Sequence, residues 1–188
     1  IYTILFSAAS DVYKRQHFDS EYVTVPKKVY ISNTTELGEV YSKKELEDIY
    51  DFCKTNGLYL FIDGARISHA LVSEKCDYTI ADLCDLCDIF YLGGTKNGLL
   101  YGEALVIVND DLKKNFINLQ KQKASLMAKN FIPGIMFETV FAKEDGYLEG
   151  ARRAYKMAKT LSIGLKDKGY DLAYPFESNQ VFIYLSDE

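Results

Sequence analysis

Lys96 stands in Gly93-Gly94-Thr95-Lys96-Asn97-Gly98, directly after the apolar run Ile89 to Leu92. A lysine amine held on a tight, glycine-flanked turn and partly desolvated can condense with a carbonyl carbon to form an imine. A phosphate-cradling loop of the GxxxxGK[ST] kind is excluded, because this lysine lies between the glycines in the wrong order. Taken alone, such a lysine is more commonly a surface turn residue. Asp63 changes the balance. It closes another apolar run, Leu58 to Ile62, and precedes Lys96 by about one helix and one strand. Both side chains can therefore face one crevice. Pyridoxal phosphate requires such a pair: a lysine for the imine, and a carboxylate that keeps the pyridine nitrogen protonated. The competing reading of Asp63 is a turn aspartate, since Asp-Gly is a frequent turn signal. Arg66, three residues on, carries a planar fork suited to a phenolate or a substrate carboxylate, or to simple solvation.

The elements that must position these residues alternate. Val29-Tyr30-Ile31 reads as a short buried strand ending at Ser32-Asn33, and Thr34 to Val40 as a loop. Ser42 and Glu45 form a capping box that opens a helix through Leu46, Ile49, Tyr50 and Cys53, stopped at Asn56-Gly57. Leu58–Ile62, Ile89–Leu92 and Ala104–Val108 read as further strands. Ala65–Ser73 is a short helix or turn, and Ile80–Cys87 a helix with Leu83, Cys84 and Cys87 toward a core. Strands separated by helices indicate βαβ units, a parallel or mixed sheet with helices on both faces, and a ligand at the carboxyl ends of the strands. Asn33, Asp63, Arg66 and Lys96 all follow such ends. Beyond Asp111 the pattern turns helical: Leu112–Met127, the apolar Phe131–Phe141, and the amphipathic Tyr147–Lys168. Val181–Leu185 closes as a strand.

Composition bounds the remaining possibilities. The 188 residues are 48% hydrophobic and 26% charged, with a net charge of −5. No basic block suits a nucleic-acid backbone, and no apolar run approaches a membrane span. The expected partner is a small molecule. Cys53, Cys76, Cys84 and Cys87 lie among helical stretches, as reduced cytoplasmic thiols do. Cys84 and Cys87 form one CxxC, but no second pair accompanies it, so structural thiols are expected and no metal site. Residues 1–16 do not lead into the pattern that follows and resemble translated sequencing-adapter read-through, so the native segment is expected to begin near His17.

Phe61-Ile62-Asp63-Gly64-Ala65-Arg66 and Gly93-Gly94-Thr95-Lys96-Asn97-Gly98 resemble the low-specificity L-threonine aldolases of the aromatic amino acid β-eliminating lyase/threonine aldolase superfamily. Tyr30-Ile31-Ser32-Asn33-Thr34-Thr35-Glu36-Leu37-Gly38 and Gly102-Glu103-Ala104-Leu105 match as well, and the likeness runs from about His17 to Leu185. It implies an α/β fold: the three-layer αβα large domain of a fold-type I pyridoxal-phosphate transferase, with the start of a small α+β C-terminal domain. Residues 17–125 would be the C-terminal part of the large domain, and 126–188 the truncated start of the small one. The cofactor implied is pyridoxal 5'-phosphate, with Lys96 as its imine-forming lysine and Asp63 as the partner of its ring nitrogen. Arg66 would lie near the phenolate or the substrate carboxylate. Glu36 falls where some members carry a histidine near the substrate's β-hydroxyl, making it a candidate base, or else a solvated loop carboxylate. Lys123 falls where others carry a basic residue that meets the phosphate across a subunit boundary, or else is one surface charge of a lysine-rich helix. The implied activity is cleavage of threonine-type or allo-threonine-type β-hydroxy amino acids to glycine and an aldehyde. A sibling activity, β-elimination from an amino acid, shares fold and cofactor, and a non-catalytic fragment is the third possibility. The likeness further implies a homo-oligomer, dimer or tetramer. It puts the phosphate-binding loop upstream of His17, so the chain alone is expected to be inactive.

Overall fold

A computed structural model of the chain describes residues 4–5 and 26–185. Apart from Ile4 and Leu5, the segment 1–16 lies outside the described residues, as do residues 17–25. The strands are β1 (Ile4–Leu5), β2 (Lys28–Ser32), β3 (Tyr59–Asp63), β4 (Ile89–Gly93) and β5 (Glu103–Ile107). They form one sheet in the order β1-β2-β3-β4-β5, the first four parallel and β5 antiparallel to β4. The helices between them are α1 (Lys43–Thr55), α2 (Ile67–Leu71) and α3 (Leu83–Leu86).

Parallel neighbours joined in sequence by right-handed crossovers carry their helices on one side. Burial follows that rule among the described residues. Val29, Leu60, Ile62, Phe90 and Leu92 face a core built with Leu46 and Cys53 of α1, Ile67 and Ala70 of α2, and Leu83 and Leu86 of α3. The alternate positions Lys28, Tyr30, Phe61, Asp63 and Tyr91 stay half-buried on the opposite face. The capping box forms as expected: the Glu45 amide donates to Ser42 Oγ at 3.3 Å, and the Ser42 amide to Glu45 Oε2 at 2.8 Å.

Asp88, immediately before β4, is fully buried. Its carboxylate accepts from the Leu60 amide (2.8 Å) and Asn109 Nδ2 (2.7 Å), and pairs with Lys54 (2.5 Å). It pins the amino end of β4 to β3 and to the loop after β5.

The structure departs from the sequence expectation in three places. The stretch 112–127 breaks into α4 (Asp110–Lys113) and α5 (Phe116–Gln122), because Asn115 and Ala124 adopt left-handed backbone. The helix expected over 80–87 shrinks to α3, which leaves Cys84 exposed and buries Leu83, Leu86 and Cys87. Val181–Leu185 forms only an isolated antiparallel bridge, Leu172 to Ile183. α6 (Phe131–Phe141) runs through Pro133, which sits in the first turn where amides lack intrahelical partners. α7 (Gly146–Asp167) packs on α2.

Candidate active site

Asp63 is the last residue of β3, and Lys96 occupies a single 3-10 turn, Thr95–Asn97, just after β4. Because β3 and β4 are parallel neighbours, both residues emerge at one edge of the sheet, where the carboxyl ends of strands leave a crevice. The two turns are joined through main chain. The Gly93 amide donates to the Gly64 carbonyl at 3.0 Å. A Cβ on Gly64 would lie 1.7 Å from the Tyr91 carbonyl oxygen, and one on Gly93 would lie 2.3 Å from that of Ala65. Glycine is required at both positions by close approach alone.

The Asp63 carboxylate is half-buried and already oriented. Its Oδ1 accepts from the Tyr91 hydroxyl and, at 3.0 Å, from the Ala65 amide; its Oδ2 accepts from the Tyr30 hydroxyl. Burial, and then the hydrogen bond to Asp63, push the Tyr30 hydroxyl up to about 12 and raise that of Tyr91 further. The sequence marks Tyr30 only as a strand residue and Tyr91 only as part of the apolar run Ile89–Leu92. The available signal was the alternation that puts Phe61 and Asp63 on one face, with a tyrosine on each neighbouring strand.

The Lys96 turn is held on three sides. Tyr147 of α7 donates its hydroxyl to the Gly93 carbonyl at 2.9 Å, and Asn97 Nδ2 donates to the Tyr147 carbonyl at 2.6 Å. The Gly94 amide donates to Glu103 Oε2 at 2.8 Å. From below, His69 places Nε2 3.2 Å from the Lys96 carbonyl. With a carbonyl as partner, Nε2 carries the proton, and Nδ1 is buried without a partner among the described residues. Burial lowers the pKa of His69 against the opposing hydrogen bond to the Lys96 carbonyl, and the charge of Arg66 adds to the lowering. The side chain of Lys96 is exposed and makes no hydrogen bond or ion pair among the described residues.

Arg66, just before α2, is half-buried and likewise unpaired among the described residues. Glu36 is exposed in the loop after β2, with Ser32 Oγ 3.5 Å from its Oε1. That loop is fixed from far away in the chain. The Val40 amide donates to buried Glu177 Oε2 at 2.9 Å, Thr34 Oγ1 to Gln180 Oε1 at 3.1 Å, and Lys75 pairs with Glu177 at 2.5 Å. Asn33 Nδ2 donates to the Tyr78 hydroxyl at 2.6 Å, and the Asn33 amide to the Asp63 carbonyl at 2.9 Å. Lys123 ends α5, exposed, and no contact among the described residues draws it to this edge. A cavity of about 510 Å³ between Tyr78–Ile80 and Phe141–Leu148 is lined by none of Glu36, Asp63, Arg66, Lys96 and Lys123.

One edge thus gathers a hydrogen-bonded carboxylate, an unpaired guanidinium and an unpaired amine over a floor of glycine backbone. This donor set fits a flat, anionic, carbonyl-bearing cofactor such as pyridoxal phosphate: Lys96 for the carbonyl carbon, Asp63 for the ring nitrogen, Arg66 for an anionic oxygen.

Comparison with known proteins agrees with that chemistry. Residues 10–188 match the family described as Beta-eliminating lyase. A low specificity L-threonine aldolase of Pseudomonas aeruginosa is 35% identical over 163 residues, covering 86% of this chain and 47% of that protein. A second, from a Pseudomonas species, is 37% identical over 166 residues with the same coverage. The structure of a threonine aldolase from Leishmania major superposes with a TM-score of 0.87 at 48% identity, covering 95% of this chain and 52% of that one. Cystalysin from Treponema denticola, a structure containing pyridoxal 5'-phosphate, shares the fold at a TM-score of 0.63 and 17% identity. The chain spans about half the length of the curated relatives it matches. With the family match covering nearly the whole chain and the glycine-floored Asp63–Lys96 edge intact beneath it, this chain belongs to the beta-eliminating lyase family.

Proposed function

We propose that the protein carrying this chain is a pyridoxal-phosphate-dependent lyase that cleaves threonine-type and allo-threonine-type β-hydroxy amino acids to glycine and an aldehyde. The observation that carries this reading is the convergence of Asp63, Arg66 and Lys96 on one sheet edge, with amine and guanidinium unpaired among the described residues. The threonine aldolases among its relatives support the substrate class. Pyridoxal phosphate, when bound, supplies the electron sink for breaking the Cα–Cβ bond. Lys96 is its point of attachment, and Asp63 holds the proton on the ring nitrogen. Arg66 fixes the phenolate oxygen or the substrate carboxylate with its fork. Glu36 accepts the proton of the substrate's β-hydroxyl. Lys123 reaches the cofactor's phosphate from a second subunit.

The same proposal assigns residues 17–125 to the cofactor-binding domain and 126–188 to the start of a smaller one. It makes the protein a homo-oligomer, supported by α6, where Phe131, Ile135 and Phe141 are exposed and only Phe137 is buried. It places the protein in the cytoplasm, supported by four free thiols. Among the described residues no helix is long and apolar enough to cross a membrane.

The test is borohydride treatment of the longer protein with pyridoxal phosphate, followed by peptide mapping. Label fixed on Lys96 is expected; a folded protein that fixes none, or fixes it elsewhere, refutes the assignment. The family description also favours β-elimination as a second reading. Product analysis separates the two: glycine and an aldehyde for the first, pyruvate and ammonia for the second.

A further inference from the structure

We propose that Tyr30 and Tyr91 are positioning residues for Asp63, clamping its carboxylate from the two flanking strands so that one acceptor direction remains for the cofactor's ring nitrogen. This rests on the cofactor reading above. An ionised carboxylate offers about four lone-pair sites. Three are taken here, two on Oδ1 by the Tyr91 hydroxyl and the Ala65 amide, and one on Oδ2 by the Tyr30 hydroxyl. The site left lies on Oδ2. A carboxylate on a strand end otherwise turns freely about its last bond; donors on both oxygens, from β2 and β4, fix its plane.

The clamp is itself braced. Phe61, two residues before Asp63 and on the same face, stands between the two tyrosine rings. It meets Tyr30 edge-on at 5.2 Å and 84°, and Tyr91 at 6.1 Å and 76°. Edge-to-face contacts fix ring orientation as well as position, so the hydroxyls are aimed by packing and not by their hydrogen bonds alone. The Lys28 ammonium caps the row from the other end, 5.1 Å from the Phe61 ring and 5.7 Å from that of Tyr30. Tyr59, on the same strand face beyond Phe61, makes no bond to Asp63 and serves as the internal control.

The experiment uses the longer protein loaded with pyridoxal phosphate, comparing wild type with Tyr30→Phe, Tyr91→Phe, the double variant and Tyr59→Phe. Phenylalanine keeps the ring packing and deletes only the hydroxyl. Each clamp variant is expected to bind the cofactor about tenfold more weakly, as for loss of one bond to a charged group. Each should also shift the pH midpoint of the bound cofactor's near-visible absorbance and lower kcat, with KM for the amino acid nearly unchanged. Tyr59→Phe should match wild type. Were the tyrosines merely structural, the variants would lose thermal stability without moving cofactor affinity or pH midpoint, which overturns the proposal. Wild-type binding with unshifted variants overturns the clamp alone; a wild type that binds no pyridoxal phosphate overturns the cofactor reading and the clamp with it.

Discussion

Replacing Gly64 by alanine should be among the most damaging single-methyl changes in this chain. The added Cβ would sit 1.7 Å from the Tyr91 carbonyl oxygen and 3.0 Å from its carbon. Ordinary contact needs roughly 3.3 Å, so β3 and β4 would have to separate by more than an ångström where they are packed backbone to backbone. That displacement breaks the 3.0 Å bond from the Gly93 amide to the Gly64 carbonyl, a loss of about 1 kcal/mol. Overpacking against rigid main chain adds about 2–3 kcal/mol, for a total of about 3–4 kcal/mol. Gly134→Ala is the matched control, because its Cβ meets nothing within 4 Å on an ordinary helical backbone; it should stabilise by up to about 1 kcal/mol. Urea unfolding of the longer protein, followed by circular dichroism, measures both. A Gly64→Ala variant within 1 kcal/mol of wild type would refute the idea that glycine is there for close approach.

Two further outcomes follow from buried polar groups. Asp88→Ala should cost about 3 kcal/mol by leaving the Leu60 amide and Asn109 without their acceptor, yet leave cofactor affinity unchanged, since Asp88 lies at the opposite sheet edge; a loss below 1 kcal/mol in urea unfolding counts against the network. His69, held neutral by burial, has a folded pKa below its ordinary 6.5. Its contribution is complete above that value and is lost as pH falls below 6.5 toward the lowered one. The urea midpoint of wild type should therefore drop on acidification more steeply than that of His69→Asn, and parallel curves between pH 5 and 8 would refute the assignment.

Local chemistry was legible in the sequence where a few adjacent residues decide the backbone. Ser42 with Glu45 marked the start of α1, and Asp63-Gly64 and Gly93-Gly94 marked strand ends that the structure keeps. Register was not legible. The meeting of Tyr30 and Tyr91 on Asp63 depends on Ser32 pairing with Asp63 and on Ile62 pairing with Phe90, relations between strands that no local window contains. The same holds for Asp88, whose partners lie on α1, β3 and the loop after β5. The split between α4 and α5 was missed because Asn115 and Ala124 take left-handed backbone, a choice that a lysine-rich periodic stretch does not announce.

The clasp between the Asn33–Val40 loop and the Glu177–Gln180 segment bears on the order of events during synthesis. Its bonds join residues 137 and 146 positions apart, whereas β2, α1, β3 and β4 pair with near neighbours in the chain. Contacts between near neighbours close quickly and distant ones late. The sheet edge bearing Asp63 and Lys96 can thus be assembled while the ribosome is still adding the C-terminal segment, but Glu36 gains its held loop only after Gln180 has emerged. A nascent chain interrupted before that point would carry Lys96 on a nearly finished platform beside a loop still without its anchor.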